Sequence, residues 1–198
     1  MVGSLRSSDG AEADVFDEEE LLSRQDPETY APKDMTSVPA ECTDDFRATQ
    51  LSDVRIESAG AMLSDRDSIS FLMISSDSSG LLWAKMHGID RFLGYCDGAT
   101  LTVDKQRMKL ELDRLWPDLN GSKSFSYVYT ITGPGFSDKW LLMMSMSGNL
   151  FVSGSHPLFD GQDLQAAQAE LRSYVNAALD LAKQPNEGIS AGPPGTPA

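Results

Sequence analysis

Residues 125–152 read FSYVYTITGPGFSDKWLLMMSMSGNLFV, three runs of strand-forming residues separated by two short breaks. The first run, 125–131, is β-branched and aromatic and alternates strictly at its odd positions. The Gly-Pro-Gly sequence at 133–135 ends that run, and the apolar run 140–146 follows it. The Ser-Gly-Asn sequence at 147–149 then turns the chain back. Turns this close together favour an antiparallel meander.

The flanking sequence supplies further strands and helices. We expect strands near residues 54–63 and at 69–75, and a helix of about 20 residues with one apolar stripe at 163–182. Residues 103–116 are mostly helix formers and predict a central helix, although Met108, Leu110 and Leu112 alternate as in a strand. Residues 81–93 fit either element, and the sequence favours a strand slightly.

The order of these elements predicts the α+β class. We expect an antiparallel sheet of about five to six strands, arranged as two βββ meanders, with helices on one face. The helices would be the central one and the long C-terminal amphipathic one.

The chain's acidity is concentrated in its first quarter. Residues 1–53 contain fourteen Asp and Glu against four Lys and Arg, whereas the remaining 145 residues contain sixteen against twelve. We therefore divide the chain into an acidic, mostly disordered arm at 1–40, one α+β domain at 41–184, and a disordered Pro/Gly-rich tail at 185–198.

Composition excludes several classes of function. A pI near 4.4 argues against a nucleic-acid partner, because binding to phosphates requires clustered Lys and Arg. No apolar run approaches the roughly 18–20 residues of a membrane-spanning helix. The first ten residues lack the apolar region of a secretory signal, which favours the cytoplasm unless a signal or anchor has been removed.

Two cysteines, Cys42 and Cys96, leave two alternatives open. In the cytosol they would be structural thiols, and in an exported protein they would most simply pair with each other. Since Asp97 follows Cys96 and would raise its thiol pKa, we do not expect a catalytic cysteine.

Acid–base chemistry has one candidate group. His156 lies between a strand and the last helix and could pair with Asp160 or Asp163 as an enzyme's catalytic group. We find no phosphate-binding loop and no calcium-binding loop in the sequence. The sequence therefore predicts no cofactor and no metal, and a protein that is not an enzyme.

One segment of the arm could fold on binding a partner. Its apolar residues stand among acids, a pattern typical of amphipathic recognition segments. The partner would be another protein, basic if the acids contribute. The candidate contact residues are Val15, Phe16, Asp17, Glu18, Glu19, Glu20, Leu21 and Leu22.

Composition and element order also resemble three groups of proteins. Secretion chaperones and toxin-immunity proteins are similarly small and acidic, with a long C-terminal helix. Exported actinobacterial sensor domains look similar at residues 39–42 and 148–182. The leading hypothesis is therefore a non-catalytic protein-binding or adaptor domain. The alternatives are an exported envelope or ligand-sensing domain stapled by a Cys42–Cys96 disulfide, and an enzyme based on His156.

Overall fold

The computed structural model describes residues 14–16, 19–20, 35–49, 57–63, 69–75 and 79–183. Within these residues the helices are α1 (Glu41–Thr49), α2 (Ser79–Tyr95) and α3 (Leu164–Lys183). The strands are β1 (Asp14–Phe16), β2 (Thr36–Val38), β3 (Glu57–Leu63), β4 (Ile69–Ser75), β5 (Thr100–Val103), β6 (Gln106–Leu115), β7 (Lys123–Gly133), β8 (Phe136–Ser147) and β9 (Leu150–Pro157). No helix among these is long and apolar enough to cross a membrane.

All the strands belong to one antiparallel sheet in the order β1-β3-β4-β9-β8-β7-β6-β5-β2. This confirms the α+β class. Seven strands have four or more residues and a three-residue strand lies at each edge, so the sheet is larger than predicted. The predicted meander is present as β7–β8–β9. Its two turns place Gly135 and Gly148 at φ of 86° and 60°, where glycine avoids the strain that a side chain would cause.

The core consists of two apolar clusters on opposite faces of the sheet. Strand residues alternate between them: Tyr127 and Met144 contribute to one cluster, and Val128 and Met143 to the other. Helix α3 packs on the Val128 side, and α1 and α2 contribute to the Tyr127 side. The helices therefore cover both faces of the sheet rather than one, because β7 and β8 have apolar side chains on both faces.

Helices α1 and α2 are tied together at their ends. A disulfide joins Cys42 in α1 to Cys96 just after α2, and both cysteines are buried. An ion pair between Arg91 and Asp45 adds a second link between the two helices. Of the two alternatives for the cysteines, the structure has the disulfide.

Two segments have the opposite secondary structure to the one predicted: the expected helix is a strand, and the expected strand is a helix. Residues 103–116 do not form a helix; they belong mainly to β5 and β6, where Leu110 and Leu112 are buried and Lys109 and Glu111 face solvent. Pairing with both neighbouring strands outweighs the helix propensity of the segment. Residues 81–93 are helical rather than extended, because Leu82, Met86 and Leu93 make one buried stripe.

The predicted arm contains two strands of the sheet. Strand β1 pairs with β3, and β2 pairs with β5 at the opposite edge. Met35 and Ser37 are buried, so the folded body extends at least six residues before the predicted boundary at 41. The rest of residues 1–34, like the tail from 184 onwards, lies outside the described residues.

Candidate interaction surface

Three elements bring cations and aromatic rings together at one end of the sheet. Helix α2 contributes Trp83, β6 contributes Arg114 with Trp116 directly after it, and β7 begins with Lys123 and continues to Phe125. Arg114 pairs with Tyr127 in the β6–β7 register, so these strand residues face the same side as α2. We call Trp83, Lys123, Phe125, Arg114 and Trp116 the cation–aromatic row.

Charges and rings alternate along this row. The Lys123 ammonium lies 4.4 Å from the centre of the Trp83 ring and 4.9 Å from that of Phe125. The Arg114 guanidinium lies 4.7 Å from the Trp116 ring centre and 5.9 Å from that of Phe125. All four distances are within the range of cation–π attraction. Phe125 therefore lies between two cations, and each cation reaches one of the flanking indoles.

The row is anchored in the core and open at its ends. Phe125 is only 4% exposed, whereas Trp116 is 83% and Trp83 is 48% exposed. A folded chain can bury an indole in its own core and gains about 25 cal/mol for each Å² of apolar surface removed from water. Two indoles left in solvent beside ordered cations are typical of a surface that binds something else.

One of the two cations of the row, Arg114, is held by a carboxylate of α2. Arg114 Nη2 donates to Asp90 Oδ1 at 3.3 Å, which connects the strand to the helix. Beneath it lies the buried ring of Tyr127, 5.7 Å from the guanidinium. Burial raises the pKa of the Tyr127 phenol, and the positive charge of Arg114 opposes that rise. The Arg114 guanidinium is thus held by the Tyr127 ring beneath it and by the Asp90 carboxylate beside it.

His156 does not meet the aspartates that the sequence suggested. Its ring is fully buried under α3, where Nδ1 donates to the Pro157 carbonyl at 2.6 Å. Its Nε2 lies 3.8 Å from a carboxylate oxygen of Glu170 in α3. Asp163 instead caps α3 by accepting from the Gln165 amide at 2.8 Å, and Asp160 is exposed in the preceding turn. In the structure His156 therefore lies beside Glu170, and the carboxylate of Asp163 is engaged at the start of α3.

The other predicted site residues are only partly described. Val15 and Phe16 lie in β1, opposite Ala61 and Gly60 of β3, and Glu19 and Glu20 are exposed. Asp17, Glu18, Leu21 and Leu22 lie outside the described residues. In the part of the chain that the structure describes, no three His, Cys, Asp or Glu side chains are grouped closely enough to hold a metal ion.

Sequence reasoning missed every member of the row. The signal was the alternation within 103–116: extended in a strand, Leu112, Arg114 and Trp116 share one face. Interpreting that segment as a helix separated Arg114 from Trp116 by 200° of helical turn. Lys123 and Trp83 are forty residues apart, and only the sheet topology brings them together.

Comparisons with known proteins support the fold and do not indicate a function. The sequence matches no known protein family and no curated protein. The structure is similar to that of an uncharacterized protein from Mycobacterium smegmatis, with a TM-score of 0.50 and 13% sequence identity. The similarity covers 84% of this chain and 85% of that one. It extends over most of both chains and supports the overall arrangement of sheet and helices.

Proposed function

We propose that this protein is a non-catalytic binding domain that recognises another protein through the cation–aromatic row. The observation that carries the proposal is the pair of exposed indoles, Trp83 and Trp116, bracketing Lys123 and Arg114. Trp and Arg are the residues most enriched among those that dominate protein–protein binding energy. Such residues act best when neighbouring contacts hold them in place before the partner arrives, as Asp90 and Phe125 do for Arg114.

The row lies on elements of secondary structure that are fixed by a disulfide and by strand pairing, which favours a role in binding. Trp83 is on α2, whose C-terminal end is connected to α1 by the Cys42–Cys96 disulfide. Arg114 pairs with Tyr127 of β7, and Lys123 pairs with Met146 of β8. Binding residues on a rigid scaffold lose little conformational entropy when a partner binds.

The disulfide also bears on the compartment in which the domain acts. Disulfides persist in oxidising environments and are rare in the cytosol. We therefore place the domain outside the cytoplasm, which joins the binding function of the leading hypothesis to the exported alternative. A count of free thiols on the native, unreduced protein tests this: we expect none, and two would contradict it.

The acidic segment provides a second contact in this proposal. Glu19 and Glu20 are exposed close to β1, at the edge of the sheet beyond β3. A partner that contacts Asp17, Glu18, Glu19 and Glu20 would bind less tightly as salt screens these charges. Replacing the four acids by their amides should then flatten the salt dependence of binding, and an unchanged salt dependence would remove the segment from the contact.

Affinity capture with matched variants tests the row directly. The full chain, Trp116→Ala and Tyr95→Ala would be used as baits against the extracytoplasmic fraction of the source organism. Tyr95 is the control because it is 78% exposed on the same α2 helix as Trp83, and twelve residues of helix separate the two by about 18 Å. Losing a dominant Trp should cost at least 2 kcal/mol, or about thirtyfold in affinity.

The comparison of the variants, rather than capture itself, decides the outcome. We expect a protein that the full chain and Tyr95→Ala retain and that Trp116→Ala loses. Equal retention by all three baits, or no retained protein, would contradict the proposal.

A further inference from the structure

Helix α3 ends beside the loop between β6 and β7, which begins with Trp116 and leads to Lys123. Asn120, between β6 and β7, donates its backbone N–H to Asn176 Oδ1 at 2.8 Å and its side-chain amide to Asp180 Oδ2 at 3.1 Å. Both acceptors are among the last eight residues of α3. The described chain therefore ends, at Lys183, within one helical turn of a residue that contacts the loop between Trp116 and Lys123.

The fifteen residues that follow are long enough to reach the row. At about 3.1 Å per residue in an extended, proline-rich conformation, they span roughly 45 Å. Trp116 is four residues from Asn120 and Lys123 is three, so each lies within about 14 Å of it. The tail would need to pass around the end of the sheet, because α3 and the row are on opposite faces.

The chemistry of the tail matches that of the row. Residues 185–198 read PNEGISAGPPGTPA, with Glu187 as the single charged side chain and three prolines within the last six residues. Proline-rich segments bind to exposed aromatic rings and lose little entropy, because their backbone is already restricted. Glu187 would find its opposite charge in Lys123 or Arg114.

We propose that residues 185–198 dock on the cation–aromatic row of their own chain and compete there with the partner. This rests on the proposed function of the row and adds its regulation. Since a short tether gives the tail an effective concentration of about a millimolar, even a millimolar contact is half occupied. Such occupancy lowers the apparent affinity for a partner about twofold.

Indole N–H resonances of the full chain provide the test. The protein has three tryptophans, so a ¹H–¹⁵N spectrum shows three indole signals, which Trp→Phe variants assign. We would compare the unaltered chain with a full-length variant carrying Pro193→Ser, Pro194→Ser and Pro197→Ser. The docked tail predicts that the Trp83 and Trp116 signals shift, while that of Trp140, which stacks on Tyr129, stays in place.

The opposite result is equally clear. Unchanged signals for Trp83 and Trp116 in the tail variant would overturn the docking proposal. A chain in which Glu187→Gln also leaves them unchanged would confirm that conclusion. A general shift of all three indoles would also count against it, because it would report a change in the domain rather than contact with the row.

These outcomes are separable from those of the proposed function. If the tail variant leaves the indoles unchanged while Trp116→Ala still loses the partner, the row binds a partner and the tail proposal fails. If the indoles shift but Trp116→Ala keeps the partner, the tail docks on a surface that the partner does not use.

Discussion

The two faces of the sheet are built differently. The face under α3 is aliphatic and closed: Leu171, Val175 and Leu179 have no exposed surface and pack on Val128 and its neighbours. The face under α1 and α2 is aromatic, contains the disulfide, and opens at one end into the cation–aromatic row. The first face maintains the fold mainly through burial, and the second combines packing with groups that remain available to a partner.

This contrast predicts the largest stability loss under α3. Leu171→Ala removes a fully buried side chain and should lower the free energy of unfolding by about 2–5 kcal/mol. Urea denaturation measures the change. Arg172→Ala, at the exposed neighbouring position, is the control and should stay within about 0.5 kcal/mol. Equal losses for the two variants would mean that α3 does not close that face.

The disulfide should have the next largest effect, on the opposite face. It joins residues 54 positions apart, and removing such a link should cost about 2–4 kcal/mol. Denaturation with and without reductant measures the difference, and the Cys42→Ser/Cys96→Ser double variant serves as the control. That variant should behave like the reduced protein and be insensitive to reductant. A midpoint that reductant leaves unchanged in the unaltered chain would refute the structural role of the bond.

The cap at the start of α3 should contribute less to the free energy of unfolding. Asp163→Ala leaves the Gln165 amide without its acceptor and should cost about 1 kcal/mol. Asp160→Ala is the matched control, since Asp160 lies in the same turn and is exposed, and it should have little effect. If both variants lose the same stability, the two aspartates are equivalent and the capping role is wrong.

Row substitutions should have the smallest effect on stability. Trp116→Ala removes a side chain that is mostly in solvent, so unfolding should change by less than about 0.5 kcal/mol despite the loss of the contact with Arg114. Urea denaturation beside the unaltered chain tests this. A loss comparable with that of Leu171→Ala would make the row a structural feature of the second face.

Much of the sheet and the last helix could be predicted, because local pattern and burial agree there. Residues 125–152 alternate and turn as β7 to β9 do, and the stripe of α3 faces the core as its spacing indicated. Residues 103–116 could not be assigned correctly, because helix propensity and strand alternation conflict and only pairing with β5 and β7 decides between them.

The candidate site was beyond sequence reasoning for a different reason. Each member of the row is ordinary by itself, and its meaning comes from neighbours that are distant in the chain, as Lys123 and Trp83 are. His156 was the opposite case: it was conspicuous in the sequence, yet the fold buries it beside Glu170. The residue type suggested a reactive group at position 156, but a side chain must be accessible before it can contact a substrate.

Site-specific photo-crosslinking tests the central claim most directly. A benzophenone amino acid would replace Asp118 in one full-length protein and Tyr95 in another, and both would be irradiated in the extracytoplasmic fraction of the source organism. Asp118 is exposed and lies two residues after Trp116, so the row keeps all of its own side chains. If the row faces the partner, position 118 forms a crosslinked product that position 95 does not, and unlabelled full chain in excess removes that product. The same product from both positions, or none from position 118, would contradict the assignment of the row as the binding surface.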